Sequence, residues 1–163
     1  MYLSTVDTPM GGLTVVADET GTVRAAGFGP ADDLIRRLGE EVRLHPDLGP
    51  DLATVTRAVR AYFDGELAAL DTLPVAQPGG PFLQRAWKVL REVPPGETVS
   101  YTELATLAGS PAAVRAAGQA CARNLIAPII PCHRVVRRDG TLGGYAYGLP
   151  VKQQLLDHER HHR

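Results

Sequence analysis

A proline- and glycine-rich stretch near the middle of the chain divides the sequence into two parts. It ends in Gln77-Pro78-Gly79-Gly80-Pro81. Neither a helix nor a strand easily runs through such a cluster, because proline lacks an amide hydrogen and glycine is costly to order. The 163 residues are enough for two small compact parts. We therefore expect two domains, residues 1–77 and residues 78–163.

The first part predicts a small antiparallel sheet with helices packed on it. Short apolar runs between residues 2 and 28 are interrupted by Gly11-Gly12 and by residues 19–21, a pattern typical of hairpins. In Ala31 to Val42 and in Leu52 to Phe63 the apolar residues recur at helical spacing. The expected fold class of the whole chain is α/β, in its α+β form.

The second part predicts a mostly helical domain with a winged-helix-like helix-turn-helix. Phe82 to Val93 is amphipathic, and Thr102 to Leu107 and Pro111 to Ala122 predict two helices joined by a short turn. Ser110 suits the N-cap of the second helix, and Pro111 suits its first turn.

Charge is distributed unevenly between the two parts. Residues 1–80 carry 6 Lys/Arg and 12 Asp/Glu, whereas residues 81–163 carry 11 and 6, so the second part could meet a polyanion.

Asp7 precedes any apolar run, and no run of about 18 apolar residues occurs, so neither a signal peptide nor a membrane span fits. We expect a cytoplasmic protein without membrane contact.

The two cysteines, Cys121 and Cys132, are expected to be free thiols that form no zinc site. Cys132 follows an apolar run in the segment Pro131-Cys132-His133-Arg134-Val135-Val136. Cationic neighbours favour the thiolate, which is the nucleophilic form. The alternative is that Cys132 is only a small buried apolar residue. Its flanking residues make it the candidate nucleophile.

The segment Pro131 to Val136 is similar to the active-site signature of the O6-alkylguanine-DNA alkyltransferases. Other blocks extend the resemblance, with matching spacing, through residues 81–163: Phe82-Leu83-Gln84-Arg85-Ala86-Trp87, Pro95-Gly96, Ser100-Tyr101 and Lys152-Gln153-Gln154-Leu155-Leu156-Asp157-His158-Glu159. The first part resembles the family more loosely. The resemblance implies a ribonuclease-H-like first domain and a DNA-binding second domain that holds the active site. It also implies a monomer that needs no cofactor or metal.

The resemblance implies a proton relay in which Glu159 hydrogen-bonds His133, and His133 draws the proton from Cys132 through a water molecule. The residues themselves support a buried position for Glu159, which shares a helix face with Leu155 and Leu156. A buried carboxylate needs a partner. The alternative is that Glu159 merely pairs with an arginine near the chain end.

The resemblance also assigns residues that hold the damaged nucleotide. Arg115 would enter the base stack while the alkylated base rotates out of the duplex, and Tyr101 would contact that nucleotide and donate to the guanine. Asn124 would tie the helix-turn-helix to the active-site segment. The alternatives are a solvated Arg115 and an aromatic core position for Tyr101. Further DNA contacts are expected from the outward helix face, at Ala116, Gln119 and Arg123.

The remaining assignments concern the pocket, the inward face of the second helix and the phosphate contacts. The expected pocket residues are Tyr145, Ala146, Val135, Val136 and Lys152. The inward face is predicted to be Val114, Ala117, Gly118 and Cys121, with Cys121 packed and inert. The candidate phosphate ligands are Lys88, Arg115, Arg123, Arg137 and Arg138.

The function implied is direct reversal of DNA alkylation, in which Cys132 takes an alkyl group irreversibly from O6-alkylguanine in double-stranded DNA. O4-alkylthymine is a second candidate substrate, and each molecule would act once. Two alternatives remain open. One is an alkyltransferase-like protein that binds damage without transfer, although such proteins lack the cysteine; the other is a thiol enzyme acting on a small alkylated molecule.

Overall fold

The computed structural model describes residues 1–39 and 50–163, which form two compact units. The first unit comprises Met1–Gln77 and Leu125–Ile129, and the second comprises Pro78–Asn124 and Ile130–Arg163. The sequence-based boundary assigns residues 125–129 to the second domain, whereas the structure places them in the first unit. The reason is a backbone pairing: the amide of Ala26 donates to the carbonyl of Leu125 (2.8 Å) and the amide of Ala127 donates to the carbonyl of Ala26 (3.0 Å).

The first unit contains the predicted antiparallel sheet. Its strands are β1 (Tyr2–Thr8), β2 (Gly11–Ala17) and β3 (Val23–Phe28), hydrogen-bonded in that order. Two helices, α1 (Ala31–Leu38) and α2 (Pro50–Phe63), pack against this sheet. The residues of β2 from Leu13 to Ala17 are all buried, as expected for a central strand covered by other elements. The prediction of a small sheet with helices is confirmed.

The first helix is shorter than the prediction of Ala31 to Val42. It ends at Leu38, and Gly39 follows with a φ of +70°, the left-handed conformation in which glycine commonly terminates helices. The part of the predicted helix from residue 40 to residue 42 lies outside the described residues.

The second unit is mostly helical, as the sequence indicates. Its regular elements are α3 (Pro81–Glu92), β4 (Val99–Ser100), α4 (Tyr101–Leu107), α5 (Val114–Ala122), β5 (Val135–Val136) and α6 (Leu149–His161). The indole nitrogen of Trp87 on α3 donates to the carbonyl of Ala120 on α5 at 2.8 Å. A side chain at Gly79 would approach the Trp87 ring to 2.7 Å, which explains a glycine there. No helix among the described residues is long and apolar enough to cross a membrane.

The helix-turn-helix consists of α4 and α5. Ser100 caps α4: its hydroxyl accepts from the amide of Glu103 (3.0 Å), and the Glu103 carboxylate accepts from the amide of Ser100 (3.2 Å). The predicted start of α5 at Pro111 is wrong, since α5 begins at Val114. The carbonyl of Ser110 instead accepts from the amide of Ala113 at 2.8 Å, which closes a turn with Pro111 at a position that proline favours.

Candidate active site

Cys132 lies at the start of a short 3-10 turn, Cys132–Arg134, that leads directly into β5. Strand β5 pairs in parallel with β4, and β4 runs straight into α4. This pairing brings Tyr101, the first residue of α4, to the same cavity as Cys132. Cys132 forms no disulfide and is only 7% exposed. A short parallel pair therefore positions the candidate nucleophile at the wall of a pocket.

The pocket has a volume of about 300 Å³. Its walls are formed by Cys132 together with Tyr101, Gly118, Cys121, Ala122, Gly144, Tyr145 and Ala146. Of the predicted pocket residues, Tyr145 and Ala146 therefore line it, whereas Val135, Val136 and Lys152 are buried and are not part of its lining. The described residues contain no cluster of three or more His, Cys, Asp or Glu side chains that could hold a metal ion.

Cys121 does not have the environment predicted for it. The sequence suggests a packed position on the inward face of α5, but Cys121 is only partly buried and shares the pocket with Cys132. Burial raises the pKa of the Cys121 thiol strongly, and Cys132 raises it further. Cys121 therefore stays protonated at neutral pH and is a poor nucleophile. The pocket therefore holds two thiols, and of these only Cys132 is followed in the chain by a histidine, His133.

A buried network of charged and polar groups stands behind Cys132. The Nε2 of His133 lies 3.0 Å from the Oε2 of Glu159, and neither side chain is exposed. Arg134 binds the same carboxylate through two bonds, from Nε to Oε1 (2.9 Å) and from Nη2 to Oε2 (2.7 Å). Its Nη1 donates to the carbonyl of Val93 at 2.7 Å. The arginine that pairs with Glu159 therefore comes from the nucleophile segment and not from the chain end.

Arg134 has a different role from the one its position in the sequence suggests. Its cation was expected to favour the Cys132 thiolate, but three of its nitrogens are committed to Glu159 and Val93. A two-bond contact of this kind neutralises a carboxylate in a defined geometry. One general rule could have pointed to this role of Arg134: a buried carboxylate, as predicted for Glu159, needs a cationic partner.

The ionisation of this network follows from its geometry. Burial alone would raise the pKa of Glu159, but its electrostatic and hydrogen-bond interactions with His133 and Arg134 outweigh burial and hold that pKa far below the usual range. Burial lowers the pKa of His133, Glu159 opposes the shift, and Arg134 and Lys152 add to it. His133 is therefore neutral at pH 7, and Arg134 supplies the charge that balances Glu159.

The neutral state of His133 defines the two ring nitrogens. A carboxylate only accepts hydrogen bonds, so Nε2 carries the hydrogen that points to Glu159. The other nitrogen, Nδ1, is then an acceptor. It is buried and has no hydrogen-bond partner among the described residues. The network thus holds an unused basic nitrogen on the residue next to Cys132.

Lys152 fixes the loop that forms one side of the pocket. Its ammonium group donates to the carbonyls of Val135 (2.6 Å), Gly144 (3.1 Å) and Leu142. Burial lowers the pKa of Lys152, while Cys132 and Cys121 oppose that shift. Three acceptors match the three hydrogens of an ammonium group. Lys152 therefore joins β5 to the pocket loop and does not line the pocket itself.

Tyr101 packs closely against the same loop. A side chain at Gly143 would come within 2.9 Å of the Tyr101 hydroxyl, and the φ of Gly143 is +70°, so both space and backbone conformation require glycine. Burial raises the pKa of Tyr101, and the two thiols add to the shift. The phenol is therefore protonated at neutral pH and can donate a hydrogen bond into the pocket.

The predicted DNA-contacting residues of α5 lie on its outer side. Arg115, Gln119 and Arg123 are exposed, and Ala116 is partly buried. The inward face differs from the prediction: Ala117 and Ala120 are buried, whereas Val114 is 38% exposed. The reason is the later start of the helix, which leaves Val114 in the first turn.

Asn124 connects α5 to the chain that precedes Cys132. Its side-chain amide donates to the carbonyl of Ile130 at 2.8 Å, and its backbone amide donates to the carbonyl of Cys121 at 3.3 Å. The side chain is 2% exposed. Asn124 therefore holds the end of the recognition helix in register with the nucleophile segment.

Two family models match nearly the whole chain. The ribonuclease-like domain of 6-O-methylguanine DNA methyltransferase matches residues 1–77, and the DNA-binding domain of the same family matches residues 81–161. Among curated proteins, the chain is 38% identical over 161 residues to a methylated-DNA--protein-cysteine methyltransferase of Shigella flexneri, covering 94% of this chain and 92% of the relative. It is 36% identical to the constitutive enzyme of that name from Bacillus subtilis, covering 98% and 95%.

Solved structures give the same result. The structure of the Mycobacterium tuberculosis protein OGT in complex with DNA superposes on this chain with a TM-score of 0.83 at 34% identity, covering 99% of this chain and 94% of that one. A structure of the O6-methylguanine methyltransferase of that organism gives a TM-score of 0.78 at 32% identity with the same coverage. On its sequence and its fold, this chain belongs to the 6-O-methylguanine DNA methyltransferase family.

Proposed function

We propose that this protein repairs alkylated DNA by direct reversal, moving the alkyl group from O6-alkylguanine in double-stranded DNA onto Cys132, with O4-alkylthymine as a second candidate substrate. The observation that carries the proposal is a cysteine thiol in the wall of a pocket, backed by a buried His133–Glu159–Arg134 network. Methylated-DNA--protein-cysteine methyltransferases that resemble the chain over most of their length support it.

The relay begins with the deprotonation of Cys132. Nδ1 of His133 is the available base, and it takes the thiol proton through one water molecule. The imidazolium formed is stabilised by the Glu159 carboxylate, which Nε2 already contacts at 3.0 Å. Because Arg134 keeps that carboxylate ionised, the network holds a base at neutral pH inside a buried site.

The transfer itself is a single displacement. The Cys132 thiolate attacks the alkyl carbon, the bond from that carbon to the guanine oxygen breaks, and the electron pair of the broken bond moves onto the base. The Tyr101 phenol, protonated because burial raises its pKa, donates a hydrogen bond to the guanine as negative charge develops. The guanine anion takes up a proton from solvent, and His133 returns the thiol proton to solvent. A thioether on Cys132 and an unmodified guanine remain.

The base must leave the duplex before it can react, because the alkylated oxygen is inaccessible inside the base stack. Arg115, exposed on α5, is proposed to fill the space that the base leaves. Ala116 and Gln119 lie on the same helix, Arg123 directly follows it, and all three are proposed to contact the DNA. Small side chains on this face, such as Ala116, allow close approach to a groove.

The proposed protein is a single-use reagent. A thioether offers no good leaving group at neutral pH, so the alkyl group stays on Cys132. All proposed reacting groups are side chains of one chain, so we propose a monomer that needs no cofactor. Its place of action is where the DNA is, which we propose to be the cytoplasm.

Intact-protein mass after incubation with a duplex containing O6-methylguanine tests this function. We expect one methyl group per molecule, even with DNA in excess, for the wild type and for Cys121→Ser, and none for Cys132→Ser. Tight binding that leaves the methyl group on the DNA would favour a damage-binding protein. Several transfers per molecule, or turnover of a free alkylated base without duplex, would favour a thiol enzyme acting on small molecules.

A further inference from the structure

A second cavity adjoins the active-site pocket, and Tyr101 belongs to the walls of both. This groove has a volume of about 390 Å³. Its other walls are Thr102, Val114, Arg137, Arg138 and Asp139. Tyr101 thus separates a space that suits a base from a second space that carries two arginines. Neither arginine belongs to the chemistry proposed above.

The two arginines are attached to a well-defined turn. Arg137 directly follows β5, the strand that continues from the nucleophile segment. Its amide donates to the carbonyl of Thr141 (2.9 Å), and the amide of Gly140 donates back to its carbonyl (2.9 Å). Asp139 braces the turn by accepting from the amide (3.0 Å) and hydroxyl (2.7 Å) of Thr141. The hydrogen-bonded turn therefore fixes the position of the Arg137 backbone directly after β5.

The groove is suited to an anion with an apolar neighbour. Two arginines and one aspartate, Asp139, line it. The hydrogen bonds from Thr141 lower the pKa of Asp139, which stays ionised. One positive charge therefore remains uncompensated by the walls. Val114, which the sequence predicts to be buried, lines the same groove with 38% of its surface exposed. A cation beside an exposed apolar side chain matches the phosphate and sugar of a nucleotide backbone.

We propose that this groove binds the phosphodiester next to the extruded nucleotide, with Arg137 as its main anchor, Arg138 as its second cation and Val114 against the sugar. The proposal rests on the proposed function. Base and phosphate lie at opposite ends of one nucleotide, so a base in the pocket places its phosphate beyond Tyr101. Arg137 is then a positioning residue, which holds the backbone of the rotated nucleotide while Cys132 reacts.

Binding measurements in a Cys132→Ser background test the proposal without interference from transfer. The probe is an O6-methylguanine duplex, either natural or with one neutral methylphosphonate in place of a phosphate beside the lesion. On natural DNA, Arg137→Ala should weaken binding on the order of tenfold, the range for a hydrogen bond to a charged group. Arg137→Lys should recover most of the loss. Arg160→Ala, which removes an exposed arginine from α6, is the matched control and should change nothing.

The neutral linkage separates a direct phosphate contact from a structural effect. If Arg137 holds that phosphate, Arg137→Ala should cost little on DNA in which the same phosphate is already neutral, because the two changes remove one interaction. An Arg137→Ala loss that persists with the neutral linkage on either side of the lesion overturns the proposal. The proposal is also overturned if Arg137→Ala binds natural DNA with the same affinity as Arg160→Ala. Failure of the proposed function is seen separately, as absence of a methyl group on wild-type Cys132.

Discussion

The two sides of the active-site pocket are built on opposite physical principles. On one side Cys132, His133, Arg134 and Glu159 are between 0 and 7% exposed, and the last three are joined by short hydrogen bonds. On the other side, α5 and the residue that follows it present Arg115, Gln119 and Arg123 to solvent. We call the first set the relay and the second set the recognition face.

The difference teaches where each kind of substitution should act. A buried polar group that loses its partner costs several kcal/mol, whereas an exposed charge usually contributes little to stability. Changes in the relay should therefore affect the unfolding free energy and the transfer rate together. Changes in the recognition face should affect DNA handling alone, and the predictions below test that division.

The largest effect is expected from Arg134→Met. This change leaves the Glu159 carboxylate buried without its cationic partner and should lower the unfolding free energy by about 3–5 kcal/mol. Urea denaturation gives the value. The control is Arg160→Ala, which removes an exposed arginine 4.0 Å from Asp157 and should cost less than about 1 kcal/mol. Equal losses in the two variants would remove the distinction between relay and surface.

Glu159→Gln should slow transfer on the order of 10- to 100-fold, because the imidazolium of His133 loses the carboxylate that stabilises it. The rate is measured at saturating DNA, with a parallel check that the variant is folded. The transfer rate should recover at higher pH, where the thiol ionises without help. Asp157→Asn makes the same chemical change on the exposed face of α6 and should leave the rate as it is. An unaltered rate in Glu159→Gln would show that the relay is assigned wrongly.

Arg115→Ala should reduce transfer to duplex DNA on the order of tenfold, with a change in unfolding free energy of less than about 0.5 kcal/mol. The loss should shrink when the lesion is unpaired or in a single strand, because less energy is then needed to expose the base. A penalty of the same size on paired and unpaired lesions would indicate a simple phosphate contact. A clear loss of stability would break the proposed contrast.

The relay should also make the protein sensitive to acid. The pKa of His133 is lowered from 6.5 by burial, so below pH 6.5 the unfolded chain binds a proton that the folded chain does not. The unfolding free energy should therefore fall as the pH drops through 6.5, by at most about 1.4 kcal/mol per pH unit for this group. A second fall is expected below pH 4.5, the value from which the pKa of Glu159 is lowered.

A histidine-to-glutamine change isolates the first of these two effects. His133→Gln retains a side-chain amide that can donate to Glu159 but cannot titrate. The difference in unfolding free energy between wild type and variant, measured from pH 7.5 to 5, should decrease steadily. The exposed histidines near the chain end are common to both proteins and cancel. A difference that does not vary with pH would mean that His133 ionises equally in both states.

The smallest effect is expected for Cys121→Ser, although Cys121 lines the same pocket as Cys132. Burial raises the pKa of the Cys121 thiol strongly, so it is not an acceptor, and the transfer rate should stay within about twofold of the wild type. Mass analysis of peptides should find the alkyl group on Cys132 alone. Alkyl groups on both cysteines would contradict this division between the two thiols.

Local features of the sequence predicted most of the fold. Hydrophobic spacing and turn residues were sufficient for the first sheet and for the helices, and their failures lie at boundaries. Pro111 illustrates why, since proline suits both the first turn of a helix and the second position of a tight turn. Only the packing of the completed unit decides between them, and with that decision the position of Val114 changes from buried to exposed.

The candidate site was predicted less completely, because its contacts join residues that are far apart in the chain. The helix pattern placed Glu159 on an apolar face, and the structure has it fully buried. The partner of Arg134 could not be read from its neighbours, since Arg134 and Glu159 are 25 residues apart. The roles of these residues in catalysis remain predictions.

The five residues Leu125–Ile129 have a consequence for how the protein can be divided and made. They belong to the first unit, although the chain on both sides of them belongs to the second. A gene fragment cut after Gln77 would encode the second unit with a loop whose buried Ile126 lacks the strand residue that it pairs with, Ala26. The complementary fragment would lack the chain that pairs with Ala26. Neither unit is therefore encoded by one continuous stretch of the chain.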